Sequence, residues 1–244
     1  NQDKIAEAVW DEQISDHLLV GSTGRALGAS EFGGRVHINT VSGVSGTTFP
    51  NGTERQPVNN LADAKTIAEN NNIGEFELES NLIIYSGESI SGYVIGSKTH
   101  RTITLSAGSN TFYTSFHSVN VKGVLNGYTI FRDCSINEGL LNFYGTMDRC
   151  FIGGNISIIS DNTKNALFYD IFTGDVQTPP ELDCGGDGAK VSLRGLTGVF
   201  LFVNKTSSTQ KIFIDLYSAR VGFDSTVTAG DITVRGSGYI YQDD

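Results

Sequence analysis

The stretch FRDCSINEGLLNFYGTMDRCFIGGNISI, residues 131–158, nearly repeats itself at a fixed distance. Arg132-Asp133-Cys134-Ser135-Ile136 is answered sixteen positions later by Asp148-Arg149-Cys150-Phe151-Ile152. The Cys and the Ile are kept, and the two charges exchange their order. In a parallel β-helix each coil lies on the previous one, about 4.8 Å away, with equivalent residues in register. A sixteen-residue step then stacks Cys150 on Cys134 and Ile152 on Ile136 as two ladders. It also sets Asp148 beside Arg132 and Arg149 beside Asp133. Like charges directly opposite one another are unfavourable, and swapping their order turns two repulsions into two attractions. Exposed pairs of this kind are worth only about 0–1 kcal/mol each, so they support register more than stability.

The remainder of the chain agrees with a mainly β fold. Twenty-nine Gly among 244 residues mark many turns, and fourteen Phe with nine Tyr supply strand-forming bulk. From FELESNLIIYS (76–86) onward the sequence reads as short strands separated by Gly, Asn, Asp or Ser. ALFYDIFTG (166–174) reads as a third rung after a longer excursion through SDNTKN, so loops of variable length leave the coil. The expected architecture is a single-stranded right-handed parallel β-helix, with a sandwich of short strands as the competing arrangement.

Two helices are expected outside the coils. Residues 2–19 contain no Gly or Pro, and Ile5, Val9, Ile14 and Leu18, with Trp10 beside them, form a narrow apolar stripe. Such a stripe docks either on its own domain or on copies of itself, which makes these five residues the candidate oligomerisation surface. A Gly/Ser-rich linker follows, so residues 1–34 form an attachment segment and 35–244 the β-helix domain. RVHINTV (35–41) alternates as a strand does. Asn60 then opens a short helix near 60–69 with Leu61, Ala64, Ile67 and Ala68 on its apolar face, ended by Asn70-Asn71-Asn72.

Charge and cysteine usage exclude several function classes. A net charge of −10 repels phosphate backbones, so no nucleic-acid partner is expected. No apolar run reaches membrane-spanning length, so no membrane insertion is expected, and nothing at the start reads as a signal peptide. The first residue is Asn, which fits either a piece of a longer chain or loss of an initiator Met. Cys134, Cys150 and Cys184 show no metal spacing and read as reduced, buried thiols of a chain made in a reducing compartment.

Two segments carry a resemblance. AVWDEQISDHLLVGSTGRAL (8–27) resembles helical modules of structural proteins of tailed bacteriophages. VHINTVSGVSGTTFPNGTERQPVNNLADAKTIA (36–68) resembles the opening of their β-solenoid domains, in which a strand, a turn and a helix cap the first coil. Here Gln56-Pro57 replaces the usual Asn-Pro, and the ending GDITVRGSGYIYQDD (230–244) is similar to a last rung. The resemblance implies a non-enzymatic virion component: a tail fibre, tail-tip protein or head decoration, trimeric, assembled in the host cytoplasm and displayed on the virion surface. Its partners would be copies of itself and other virion proteins, with host surface glycan as a further contact. It carries no catalytic residues and no cofactor.

The search for chemistry gives weaker signals. SGVSG (42–46) lacks nucleophile-elbow spacing, and GSKT (96–99) lacks the earlier Gly of a phosphate loop. His17, His37, His100 and His117 are scattered without ligand spacing. LDCGGDG (182–188) offers Asp183 and Asp187 as weak Ca²⁺ candidates, with a plain turn preferred. A polysaccharide depolymerase would need paired carboxylates, for which Asp133, Asp148, Asp170, Asp215 and Asp224 are the candidates. Arg partners would keep Asp133 and Asp148 ionised and make either a poor proton donor. A bacterial adhesin of similar fold is the other alternative. Sugar contact would use exposed faces among Tyr113, Phe116, Tyr217, Tyr239 and Tyr241.

Overall fold

The computed structural model describes residues 31–96, 100–174, 177–186, 188–206, 209–227 and 232–243. The expected N-terminal helix, with Ile5, Val9, Trp10, Ile14 and Leu18, lies outside these, as do His17 and Asp187. The chain divides into two compact units, Asn1–Glu77 and Leu78–Asp244.

In the first unit β1 (Val36–Ile38) is followed by α1 (Leu61–Asn71) and β2 (Glu75–Leu78). β1 is shorter than the alternation of 35–41 suggested, and all three of its residues are buried. Asn39 ends it: its side-chain oxygen accepts from the backbone of Val41 (3.1 Å) and Ser42 (3.0 Å), which turns the chain away. Helix α1 starts where Asn60 caps it by accepting from the Asp63 N–H at 2.8 Å. Asp63 in turn accepts from the Gly46 N–H at 2.7 Å, tying the helix start to the preceding turn. The helix ends at Asn72, in the left-handed conformation with φ 53°. Leu61, Ala64, Ile67 and Ala68 form its buried face. Arg35 forks between Glu75 (3.0 Å) and Glu77 (3.1 Å), two strand positions that share one face.

The second unit is a parallel β-solenoid of about eight turns, and the protein is mainly β with very little helix. One ladder of strands runs through β4 (Gly92–Gly96), β6 (Thr114–His117), β8 (Thr129–Arg132), β11 (Gly145–Asp148) and β14 (Asn165–Tyr169). It continues through the first parts of β17 (Lys190–Lys205), β18 (Ile212–Asp224) and β19 (Ile232–Asp243). A second ladder holds β3 (Leu82–Ile84), β5 (Arg101–Leu105), β7 (Val119–Val124), β10 (Leu140–Phe143), β13 (Ile156–Ile158) and β16 (Glu181–Gly186). The short β9 (Ser135–Ile136), β12 (Phe151–Ile152) and β15 (Phe172–Thr173) form a third. The step between coils varies, from fifteen residues between Thr114 and Thr129 to twenty-six between Ile156 and Leu182.

Register converts this winding into a core. Val94, Phe116, Phe131, Met147, Phe168, Leu193 and Ile214 occupy one position on successive coils and are all fully buried. The Phe116 and Phe131 rings stack 5.5 Å apart and nearly parallel. Each such side chain contributes about 1.5–3 kcal/mol by leaving water. ALFYDIFTG takes the rung after 145–152: Phe168 lies beside Met147 and Phe172 beside Phe151.

Close stacking also dictates glycine at particular points. Gly145 has φ 140°, and a Cβ there would stand 2.0 Å from the Thr129 carbonyl oxygen on the coil below. Backbone cannot yield as a flexible side chain would. Gly145→Ala is therefore expected to lower unfolding stability by about 2 kcal/mol or more. Gly139→Ala meets its nearest neighbour only at 3.9 Å and should stay within about 0.5 kcal/mol. Urea denaturation midpoints of the two variants check the contrast.

Candidate functional site

The most organised side-chain cluster of the solenoid lies along one corner of the coils. Ser118, Asp133, Arg149 and Asp170 all have positive φ, between 49° and 53°, and Gly195 follows with φ 76°. They occupy equivalent positions, each just after a strand of the first ladder. Their backbone N–H groups donate onward to Arg132, Asp148, Tyr169 and Arg194 carbonyls at 2.8–3.1 Å. The residues after them, Val119, Cys134, Cys150, Ile171 and Leu196, point inward and are buried. A tight left-handed corner is thus repeated five times. It costs least for Gly, Asn and Asp, and Arg149 adopts it as an exception held by its neighbours.

Charges at this corner pair between coils. Asp148 lies beside Arg132 in the backbone register, and Ile152 beside Ile136. The Phe151 N–H donates to the Cys134 carbonyl at 2.9 Å, which brings the coil positions of Cys134 and Cys150 together. Arg149 Nε and Nη2 donate to the two oxygens of Asp133 at 2.8 and 2.9 Å, a two-point fork. Its Nη1 donates to Asp148 Oδ2 at 2.9 Å. The attraction expected between Arg132 and Asp148 is therefore replaced: the Asp148 carboxylate goes to Arg149. The left-handed corner directs the planar guanidinium across both acids, whereas Arg132 belongs to the strand before it. Arg149 holds the Asp133 carboxyl below its ordinary range through these hydrogen bonds, against the opposing effect of burial. Both side chains are about half exposed, so the pair is screened by solvent.

Asp170 is an exposed corner residue, and Asp215 lies in register between Arg194 and Arg235. Asp224 accepts from the Thr226 N–H at 3.0 Å and its hydroxyl at 2.5 Å. Asp183 Oδ1 accepts from the Gly185 N–H and from Asn204 Nδ2, both at 2.8 Å, so the turn uses that oxygen itself. Among the described residues no group of three or more His, Cys, Asp or Glu side chains could hold a metal ion. Burial pushes the Cys184 thiol up to about 12 and keeps Cys134 well above its ordinary value, so these act as core groups.

Aromatic and histidine residues divide by strand face. Phe116, named above as a sugar-contact candidate, is fully buried and belongs to the core, because it occupies an inward position of β6. Tyr113, Tyr217 and Tyr239 are 72%, 67% and 76% exposed. Tyr241 lies under the Arg220 guanidinium at 5.6 Å. His37 is buried, His100 is exposed, and His117 meets Ser115 at 3.2 Å and the Tyr93 ring at 5.7 Å. Sequence reasoning missed the recurring corner. Its signal is a charged or small residue immediately before a buried apolar one, seen in Ser118-Val119, Asp133-Cys134, Arg149-Cys150, Asp170-Ile171 and Gly195-Leu196.

No protein-family model, no curated protein and no solved structure matches the chain. Among the described residues no helix is long and apolar enough to cross a membrane.

The corner pairing has a pH signature. A carboxyl whose folded pKa is depressed contributes stability above its unfolded pKa, near 3.9, and loses it as pH falls through the folded value. Asp133→Asn is expected to be less stable than wild type at pH 6, and the gap should close as pH falls below the ordinary carboxylate range. Added salt should narrow the gap at pH 6. Thermal melts of both proteins from pH 6 to pH 2 check the sign.

Proposed function

We propose that the chain is a non-enzymatic structural protein of a tailed-bacteriophage particle, a tail-fibre, tail-tip or head-decoration element. The single observation that carries the non-enzymatic part is the state of the corner acids. Asp133 and Asp148 share Arg149, and its guanidinium holds the Asp133 carboxyl below its ordinary range, which suits interlocking coils and ill suits a proton donor. The viral part is supported by the resemblance of residues 8–27, 36–68 and 230–244. In the second of these, a short strand and a capped helix join through a hydrogen-bonded turn.

In this reading one chain winds the solenoid with a right hand, as about 98% of parallel β-crossover connections do. The assembly is a trimer joined through Ile5, Val9, Trp10, Ile14 and Leu18. It is made in the host cytoplasm and displayed on the virion surface against other virion proteins, where exposed side chains contact host glycan. Its work is mechanical and adhesive.

Light scattering of the full chain is expected to give a trimer, and deletion of residues 1–20 a monomer. Incubation with host capsular polysaccharide is expected to release no reducing ends. Release that stops on changing Asp215→Ala would establish a depolymerase instead, and a trimer that survives the deletion would remove the role of the N-terminal stripe.

A further inference from the structure

At two places on the solenoid, opposite charges on neighbouring coils pair directly. Arg149 reaches Asp133 on the coil before it at 2.8 Å, and Lys122 pairs with Glu138 at 2.7 Å. Lys190 and Lys211 break this pattern. The Val191 N–H donates to the Lys211 carbonyl at 3.0 Å, and Val191 lies beside Ile212, so the two lysines occupy one position on adjacent coils. Stacked like charges are unfavourable, and among the described residues neither ammonium has a side-chain partner. Both side chains are exposed, in a chain whose net charge is −10.

The two lysines border a cavity of about 290 Å³ on the outward face of β14, β17, β18 and β19. Its lining combines three kinds of group. Lys190 and Lys211 supply positive charge. Asn165, Ser192 and Thr233 supply an amide and two hydroxyls, and Leu167 and Phe213 supply apolar surface. Phe213 also has the Arg194 and Arg235 guanidinium groups at 5.8 and 5.6 Å, with Asp215 in register between those two arginines. The volume lies near the low end of small-molecule sites, about 300–1,000 Å³, and suits one or two sugar units.

We propose that this cavity binds a carboxylated saccharide, with its carboxylate between Lys190 and Lys211 and its hydroxyls on Asn165, Ser192 and Thr233. Leu167 and Phe213 take the C–H face of the sugar ring. A densely charged polyanion is disfavoured by the overall negative charge, whereas a ligand with one carboxylate per ring and many hydroxyls matches the mixed lining. The assignment deepens the adhesive part of the proposed function and rests on that part.

The test is calorimetric titration of the full chain with trigalacturonate, beside maltotriose and inorganic phosphate. Trigalacturonate is expected to bind saturably, and maltotriose and phosphate at least about tenfold more weakly. The joint change Lys190→Gln and Lys211→Gln should weaken trigalacturonate about tenfold or more at an unchanged melting temperature. Lys122→Gln, a charge loss elsewhere on the solenoid, should leave affinity unchanged. Absent binding, equal binding of maltotriose or phosphate, or indifference to the double substitution overturns the proposal. A trimer that ignores trigalacturonate would leave the structural reading intact, and a monomer that binds it would do the reverse.

Discussion

Every feature of the second unit depends on one constraint: parallel coils must stack in register through their backbone N–H and C=O groups. The corner at 118, 133, 149, 170 and 195 shows what this requires. Each corner residue takes a left-handed conformation that lets the following side chain turn inward, and the N–H groups of Ser118, Asp133, Arg149 and Asp170 reach the next coil. Where the backbones come closest, as at Gly145 above Thr129, only hydrogen fits in place of a side chain. Once those conditions hold, the inward positions form ladders that exclude water, and hydrophobic burial supplies the stability.

The same constraint organises the surface. Residues one coil apart are near neighbours, so charge order along a ladder decides whether the stack is reinforced or strained. His117, Arg132, Asp148, Tyr169, Arg194, Asp215 and Arg235 form one such outward row, with Asp148 next to Arg132 and Asp215 between two arginines. Arg149 gathers two acids where the corner brings them together. Acids used in this way reinforce register. The Lys190–Lys211 position departs from the rule, and it coincides with a cavity of mixed polar and apolar lining.

Much of this was legible in the chain because some signals are local. The swapped charges of 132–133 and 148–149, with Cys and Ile kept in step, encode the spacing of two coils directly. Asn60, Asp63, the apolar set at 61, 64, 67 and 68, and the Asn run that follows encode a capped helix. Other features were hidden. The coil step changes from one turn to the next, so Val94, Phe116 and Leu193 bear no constant spacing to Phe131, although they share its ladder. Phe116 is a sugar-contact candidate by residue type and a core residue by register. Which face a strand side chain occupies depends on register with a neighbour whose distance in sequence is not fixed.

The sequence by itself determined the mainly β character, the sixteen-residue step between the coils at 132 and 148, and the short helix with its caps. These follow from turn chemistry, periodicity and charge order within a few dozen residues. Only the tertiary structure decided that Asp148 is held by Arg149, that Ser118, Asp133, Arg149, Asp170 and Gly195 share a corner, and that Lys190 and Lys211 border one cavity. The corner positions and the two lysines lie fifteen to twenty-five residues apart, joined through loops of unequal length. Backbone hydrogen bonding between coils fixes them, and no local pattern specifies which coil position each loop returns to.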